Sequence, residues 1–307
     1  MNPASLLIRD NAPDFIRELD TLVGFRNIFA LSCIVKGYEH RLTNTFVAHP
    51  LYSDYFDFYP ITFSRTNDGF ITHSPSVLGF DDKAQYFKGQ TSPGLATSSI
   101  DASPDNQLFD LLEKVWRRRF ISRRLGEWQT RALFRSLEMA YQATAMPFKN
   151  HSTIYDVGTS ASLWVSAFEI LSHPRLGKAG LLSVLNLLGK YNWDNILIRR
   201  KAFKVEYPKG SVHKINIVQM LYKQLYDTRN DFLHGNPVTS ARLHPFKNKK
   251  TFRITGFAPL IYKVALLSFL DQFKGKVKNT DWIQACISKS MYEDGLSEAI
   301  LKSKGKV

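Results

Sequence analysis

One segment near the C-terminus constrains the fold more than any other, because residues 259–273 are apolar almost all the way round a helix. A helix that lacks a polar face has to be buried against other elements on every side. Earlier segments carry apolar residues at helical spacing, namely residues 106–116, 127–144, 160–172, 181–189 and 215–234. The sequence therefore predicts a mainly α protein with one fully buried helix.

The first third of the chain has a different composition. A short helix is predicted around residues 14–22, but residues 29–35 and 56–63 are rich in β-branched and aromatic side chains, which favour strands. The Asn-Asp-Gly sequence at residues 67–69 is typical of a tight turn and predicts a hairpin between the strands on either side of it. We therefore expect a small α+β region here.

Residues 89–106 are dense in Ser, Thr, Pro, Gly and Asp, which indicates a linker or a long surface loop. We place a domain boundary in this segment. The predicted organisation is an α+β N-terminal region at 1–105, a helical domain at 106–275, and a C-terminal helix with a Lys-rich tail at 276–307. The N-terminal region is expected to sense a trigger or to restrain a site in the helical domain.

The chain is strongly basic, with 41 Lys and Arg against 27 Asp and Glu and a formal net charge of +14. Such an excess favours a polyanionic partner, nucleic acid first and an anionic membrane second. The N-terminal residues lack the apolar core of a signal peptide, and the apolar runs are too short to span a bilayer. We therefore expect a cytoplasmic protein that acts without a membrane.

The sequence carries no pattern of metal or cofactor ligands. Cys33 and Cys286 lie far apart and share no zinc-like spacing with the histidines. The P-loop and the glycine-rich dinucleotide fingerprint are both absent from the sequence. We therefore predict no metal site and no cofactor, and the sequence argues against nucleotide hydrolysis and dinucleotide binding.

Residues 114–135 carry eight Lys and Arg side chains against a single acid, with Trp116, Phe120 and Trp128 between them. Two interpretations stay open. The segment can follow RNA phosphates while its aromatic rings stack on bases, or it can be a solvated helix face whose rings point into the core. The candidate RNA-binding residues, which include a basic stretch after the helix at 215–234, are Arg117, Arg118, Arg119, Arg123, Arg124, Lys247, Lys249 and Lys250.

The richest group of functional side chains ends the predicted helix at 215–234, in the sequence Arg-Asn-Asp-Phe-Leu-His-Gly at residues 229–235. Asn230 and His234 lie four residues apart on one helix face, and the long side chain of Arg229 can reach the same face. An imidazole can transfer a proton, and a guanidinium can stabilise charge that develops on a phosphate. The trio therefore predicts a site for phosphodiester cleavage that needs no metal.

A purely structural role for the same residues also stays open. A protonated histidine in the last turn of a helix interacts favourably with the helix dipole. Arg229 can pair with Asp227 on its own helix or with Glu169 on an earlier one. Neither contact requires RNA.

Residues 222–237 (Tyr-Lys-Gln-Leu-Tyr-Asp-Thr-Arg-Asn-Asp-Phe-Leu-His-Gly-Asn-Pro) resemble the signature of the HEPN superfamily, in particular its Apea-like branch. That signature is an arginine, a polar residue that is often asparagine, and a histidine a few residues later. Residues 133–140 resemble the opening helix of the family, residues 163–171 the helix before the motif, and residues 259–270 the helix after it. The similarity covers roughly residues 106–273.

The resemblance implies a HEPN-like helical bundle whose dimerisation pairs two motifs. It implies a metal-independent endoribonuclease of toxin, abortive-infection or phage-defence systems. Arg229 and His234 match the catalytic pair, Asn230 matches the polar position, and Glu169 loosely matches the acid of the preceding helix. The implied partners are RNA, a second copy of the chain, and an antitoxin or defence partner protein.

One position departs from the family pattern. Some family toxins are silenced by nucleotidylation of a tyrosine two residues after the histidine, and Asn236 stands at that position here, which argues against this route. Two other functions stay open beside the nuclease. Many family members have lost cleavage and act as RNA-binding or protein-interaction modules, although the intact Arg, Asn and His argue against that loss. A structural protein without RNA affinity is the third hypothesis.

Overall fold

The computed structural model describes residues 19–43, 61–63, 70–73, 78–80, 104–121, 128–145, 154–206, 210–246, 253–271 and 282–303. The described part is mainly helical. Its helices are α1 (Leu19–Thr43), α2 (Asn106–Trp116), α3 (Trp128–Ala145), α4 (Ile154–Leu171), α5 (Leu181–Leu188), α6 (Ile196–Arg199), α7 (Ile217–Leu233), α8 (Ser240–Leu243), α9 (Ile254–Leu270) and α10 (Trp282–Ser303). Its strands are β1 (Ile61–Phe63), β2 (Phe70–His73), β3 (Leu78–Phe80), β4 (Phe203–Glu206) and β5 (Val212–Ile215), and a π-helical turn (Arg117–Ile121) follows α2.

The centre of the core is α9, all of whose 17 residues are buried. It packs against α1, α2, α4, α5 and α7, because a helix without a polar face needs neighbours on every side. The prediction of a fully buried helix is confirmed, although α9 begins at Ile254 and contains Pro259 in its second turn. None of the described helices is both long and apolar enough to cross a membrane.

The prediction of a strand at residues 29–35 is wrong, because this segment lies within the 25-residue helix α1. Residues 30–35 are all buried, so the helix shows no alternation between an apolar and a polar face there. A continuous apolar run looks the same in a buried strand and in a buried helix, and periodicity does not separate the two. The β-branched and aromatic residues of this run favour a strand, and for this reason the sequence did not indicate the helix.

Helix α1 belongs to the same core as the later helices. It packs against α2, α3, α9 and α10, and it contributes Ile28, Leu31 and Ile34 to the common apolar cluster. Tyr292 and Leu296 of α10 lie in that cluster too. The predicted boundaries at residues 105 and 275 therefore do not separate α1 or α10 from the helical domain. The predicted linker at 89–106 lies almost wholly outside the described residues.

The predicted hairpin around residues 67–69 is confirmed by the antiparallel pairing of β1 with β2, in which Ile61 lies opposite Thr72. A third strand, β3, pairs with the other edge of β2. The second hairpin, β4–β5, follows the short helix α6 and lies between the predicted helices at 181–189 and 215–234, where sequence analysis predicts no strand. Each strand of this hairpin has four residues with one of them buried, which is too little alternation to detect in a sequence.

A buried ion cluster, formed by Glu39, Asp105 and Lys263, connects α1, α2 and α9. Nζ of Lys263 lies 2.5 Å from Oδ2 of Asp105 and also pairs with the carboxylate of Glu39. The same ammonium lies 4.2 Å from the centre of the Tyr292 ring on α10. Asp105 caps α2 as well, since its Oδ1 accepts a 2.9 Å hydrogen bond from the backbone N–H of Leu108. The helices α1, α2, α9 and α10 therefore all contact this buried ion cluster.

The members of the ion cluster shift one another's pKa values. Burial disfavours the charged form of Lys263, but Glu39 and Asp105 outweigh burial and raise its pKa. Burial also disfavours ionised Asp105, yet Lys263 outweighs burial and lowers the pKa of Asp105. For Glu39 burial outweighs Lys263 and raises the pKa. Lys263 and Asp105 are therefore the ionised pair, and Glu39 is the carboxyl that takes up a proton first.

Candidate active site

Helix α7 carries the predicted catalytic residues at its C-terminal end. The helix begins with a capping box, in which Asn216 and Gln219 each bond the other's backbone N–H at 3.0 Å. One face of the helix, with Val218, Leu221, Tyr222 and Leu225, is buried in the core. After Leu233 the chain turns at Gly235, whose φ of +70° glycine adopts more readily than other residues. The capping box, the buried face and the turn at Gly235 therefore define the helix, and residues 229–234 lie on its last turns.

Helices α4 and α7 pack side by side and run in opposite directions. Near the end of α4 the ring centres of Phe168 and Tyr222 are 4.8 Å apart. Near the beginning of α4, Gly158 lies directly against the ring of Phe232. The beginning of α4 and the end of α7 therefore share one end of this helix pair.

We expect Gly158→Ala to lower the free energy of unfolding by about 1–3 kcal/mol, despite the higher helix propensity of alanine. A Cβ atom at this position would lie 2.6 Å from Cγ of Phe232, so that the ring or the helix has to move. Urea unfolding measures the loss. The matched control is Gly180→Ala, because a Cβ atom at Gly180 meets no described atom within 4 Å. Equal losses in the two variants would contradict the close contact.

Arg229 is held by hydrogen bonds from both ends of its guanidinium. Nη1 donates to Oδ1 of Asn230 at 2.9 Å, and Nη2 donates to Oε2 of Glu169 on α4 at 3.2 Å. Asp227 pairs instead with Lys223, at 2.5 Å. Among the described residues these contacts use two of the five N–H donors of the guanidinium, and 19% of the Arg229 side chain is exposed. The guanidinium is therefore fixed in place and still able to contact an anion.

The carboxyl of Glu169 has a pKa above its ordinary value of 4.5. Partial burial is the larger cause and raises the pKa, whereas the charge of Arg229 lowers it. The carboxyl therefore takes up a proton at a higher pH than a glutamate in water. On acidification the ion pair between Glu169 and Arg229 is therefore lost at a higher pH than it would be if Glu169 had its ordinary pKa.

His234 caps the C-terminus of α7, and its side chain is exposed. Its backbone N–H donates to the carbonyl of Asn230 at 3.0 Å, which continues the helical hydrogen bonding. Within the described part of the chain, no hydrogen bond or ion pair engages the imidazole. The ring is therefore accessible, which a group that exchanges protons with a substrate has to be.

Several contacts that hold this end of α7 were not predicted from the sequence. Oδ2 of Asp231 accepts from Nε of Arg242 at 2.7 Å, and Oδ1 accepts from Nδ2 of Asn236 at 3.3 Å. The ring of Tyr226 lies under the guanidinium of Arg229, 5.2 Å from ring centre to Cζ. Tyr226 precedes Arg229 by three residues, a helical spacing that could have predicted this contact. Arg242 lies beyond the turn, and no local spacing indicates its pairing with Asp231.

The arginine-rich segment is divided between the surface and the core. Arg117 is exposed and pairs with a glutamate one turn earlier, and Arg118 is half-buried. Cζ of Arg119 lies 5.0 Å from the centre of the Phe120 ring, and burial lowers the pKa of Arg119. Trp116 and Phe120 are buried in the core. The interpretation that these two rings stack on bases is therefore wrong. Outside the described residues lie Arg123, Arg124, Lys247, Lys249 and Lys250.

In the structure Arg229 contacts both Asn230 and Glu169, and His234 lies one turn after Asn230. Arg117 pairs with Glu113 on α2, and Arg119 lies over the rings of Phe120 and Phe134, so their described contacts do not include this group. In the described ranges no group of three or more His, Cys, Asp or Glu is placed to hold a metal ion. No protein-family model matches the sequence, and no curated protein or solved structure matches it either.

Proposed function

We propose that this chain is an endoribonuclease of the HEPN type, which cleaves RNA without a metal ion and acts in the cytoplasm in a toxin, abortive-infection or phage-defence system. One observation carries the proposal. A guanidinium fixed by Glu169 and Asn230 stands five residues before an exposed imidazole at the end of α7. The formal net charge of +14 supports an RNA substrate, because cations attract the phosphate backbone. An antitoxin or defence partner protein would control the activity in the cell.

The proposed reaction uses the chemistry of these side chains. The 2′-hydroxyl of the RNA attacks the adjacent phosphorus, and the bond from phosphorus to the 5′-oxygen breaks. His234 accepts the proton of the hydroxyl and returns a proton to the leaving 5′-oxygen. Arg229 stabilises the extra negative charge on the phosphate oxygens, while Asn230 and Glu169 position its guanidinium. The products are a 2′,3′-cyclic phosphate and a 5′-hydroxyl, and this step consumes no water.

The proposal includes a homodimer that places two such sites beside one cleft. Ile154 and Tyr155 at the beginning of α4 and Leu233 at the end of α7 are exposed, with 77% of Tyr155 and 61% of Leu233 accessible. These three residues share the end of the α4–α7 pair that carries His234. Large apolar side chains grouped on a surface are typical of a protein interface. A dimer through this end covers the apolar patch and brings the two imidazoles toward one another.

Cleavage of RNA in EDTA tests the proposal. We expect the wild-type protein to cut a 5′-labelled RNA and to leave fragments that end in a 2′,3′-cyclic phosphate. The same oligonucleotide with 2′-deoxyribose throughout is expected to stay intact, because the attacking hydroxyl is missing. Gel analysis with and without phosphatase treatment identifies the ends. Fragments with a 3′-hydroxyl and a 5′-phosphate would contradict the mechanism.

An RNA-binding titration at several salt concentrations, run beside the cleavage assay, separates the two other functions. RNA binding that weakens steeply with salt, without any cleavage, would indicate a non-catalytic RNA-binding module. A protein with no affinity for RNA even at low salt would have a structural or protein-interaction role. Either result overturns the proposed nuclease.

A further inference from the structure

A groove of about 550 Å³ lies where the end of α4 meets α3, α5 and the end of α9. Its volume is within the range of sites that hold small organic ligands. The described residues that line it do not include Arg229, Asn230 or His234, so it is a different site from the proposed nuclease site.

One wall of the groove is aromatic. Trp128, at the beginning of α3, and His173, just after α4, both line it, and their ring centres lie 5.8 Å apart with an edge-to-face angle of 62°. Both side chains are half-buried. Indole and imidazole rings that border a groove offer flat surfaces on which a nucleobase stacks, because every base has a π face.

The polar side chains of the groove fit an anion. Arg175 and Lys190 line it and are exposed, and none of its described lining residues is acidic. The amides of Gln129 and Asn186 also line it and can bond the edge of a base or a ribose. Nδ1 of His173 accepts a hydrogen bond from the backbone N–H of Arg175 at 3.1 Å, so Nε2 carries the proton of the neutral ring and remains a donor.

We infer that this groove binds a nucleoside 5′-monophosphate. The base stacks on the face of the Trp128 ring with the His173 ring at its edge, and the phosphate pairs with Arg175 and Lys190. A free nucleotide and the 5′-phosphorylated end of an RNA chain present the same chemistry. The inference does not depend on the proposed nuclease, because its test measures binding and not cleavage.

Calorimetric titration with AMP, GMP, CMP, UMP and inorganic phosphate tests the site in the full-length chain. We expect saturable binding of at least one nucleotide, and binding of inorganic phosphate at least tenfold weaker, because phosphate lacks the stacking base. A 5′-phosphorylated tetranucleotide with 2′-O-methyl ribose, which resists cleavage by 2′-hydroxyl attack, represents the RNA end. Tighter binding of this tetranucleotide than of every free nucleotide would support the site and assign the RNA end as its ligand.

Three variants locate the binding. Arg175 has a φ of +75°, which strains any residue except glycine, so Arg175→Gly removes the cation and relieves the backbone. We expect Arg175→Gly and Lys190→Gln each to weaken nucleotide binding at least tenfold. Lys201→Gln, at an exposed lysine outside the groove lining, is the control for the change in charge and is expected to bind like wild type.

Three results would overturn the inference. The first is the absence of saturable binding of all four nucleotides and of the tetranucleotide at millimolar concentration. The second is equal affinity for inorganic phosphate and for the nucleotides, which would leave no role for a stacked base. The third is unchanged nucleotide affinity in Arg175→Gly and Lys190→Gln while thermal unfolding shows that both variants are folded.

Discussion

Replacing His234 by alanine is expected to slow RNA cleavage in EDTA by about 10²–10⁴-fold. The imidazole is the proposed proton carrier, and it lies exposed at the end of α7, where truncation removes no buried contact. The fold should therefore stay intact while the chemical step is lost. Single-turnover cleavage of a labelled RNA at saturating protein measures that step separately from binding and product release.

His213→Ala is the matched control, because this exposed histidine lies on β5, beside the opposite end of α7. We expect it to cleave at the wild-type rate, and His234→Ala to unfold at the wild-type temperature. Arg229→Lys is the companion variant, since it keeps the charge but loses the planar fork that bonds Asn230 and Glu169 together. Cleavage by His234→Ala at the wild-type rate would show that His234 is not a catalytic residue.

Replacing Lys263 by methionine is expected to lower the free energy of unfolding by about 3–5 kcal/mol. Methionine has a similar shape, but it leaves the buried carboxylates of Glu39 and Asp105 without their cation. The shift of the urea unfolding midpoint measures the loss. Adding Glu39→Gln and Asp105→Asn to this variant should recover much of the stability, because no ionised group of the cluster then remains buried and asparagine still caps α2.

Lys223→Met is the matched control for this substitution. Lys223 also forms a 2.5 Å ion pair, with Asp227 one turn later on α7, but both side chains are partly exposed. An ion pair of this kind contributes about 0–1 kcal/mol. Similar losses in Lys263→Met and Lys223→Met would show that burial of the ion cluster contributes nothing of its own.

The pH dependence of stability has a different sign for each member of the ion cluster. The contribution of Lys263 is fully present below its ordinary pKa of 10.5 and is lost as the pH rises through the raised value of the folded state. The contribution of Asp105 is present above its ordinary pKa of 3.8 and is lost as the pH falls through the lowered folded value. Glu39 opposes them, since stability decreases as the pH rises from its ordinary 4.5 through its raised folded pKa. At neutral pH, Glu39→Gln should therefore cost less stability than Asp105→Asn.

Helix α7 could be predicted almost to its ends, and the reason is local. The predicted range 215–234 differs from Ile217–Leu233 by no more than two residues at either end. Asn216 and Gln219 cap the first turn of the helix, and Gly235 sets the turn that follows its C-terminus. Each of these effects involves residues within one turn of each other, so the sequence contains all the information needed. The buried run in α1 is the opposite case, because its surroundings and not its own pattern decide its structure.

The partner of Arg229 could not be chosen from the sequence in the same way. Residues two apart on a helix do not face each other, and in the structure Asp227 pairs with Lys223 instead. Glu169, however, is 60 positions away in the chain and reaches Arg229 only because α4 packs along α7. Likewise, Trp116 and Phe120 had the composition of a stacking surface, and only the packing of α2 on its neighbours shows that they are buried.

The ion cluster also sets the order in which the chain can acquire its structure during synthesis. Glu39 and Lys263 are 224 positions apart, and Oη of Tyr292 donates to the carbonyl of Leu260 at 2.8 Å from a still later helix. A ribosome that adds roughly 5–20 residues per second needs about ten seconds or more to make the stretch between the two charges. Helix α1 therefore leaves the ribosome before its later partners α9 and α10 have been made. An unfinished chain that lacks α9 and α10 cannot form the ion cluster, so this part of the core closes only near the end of synthesis.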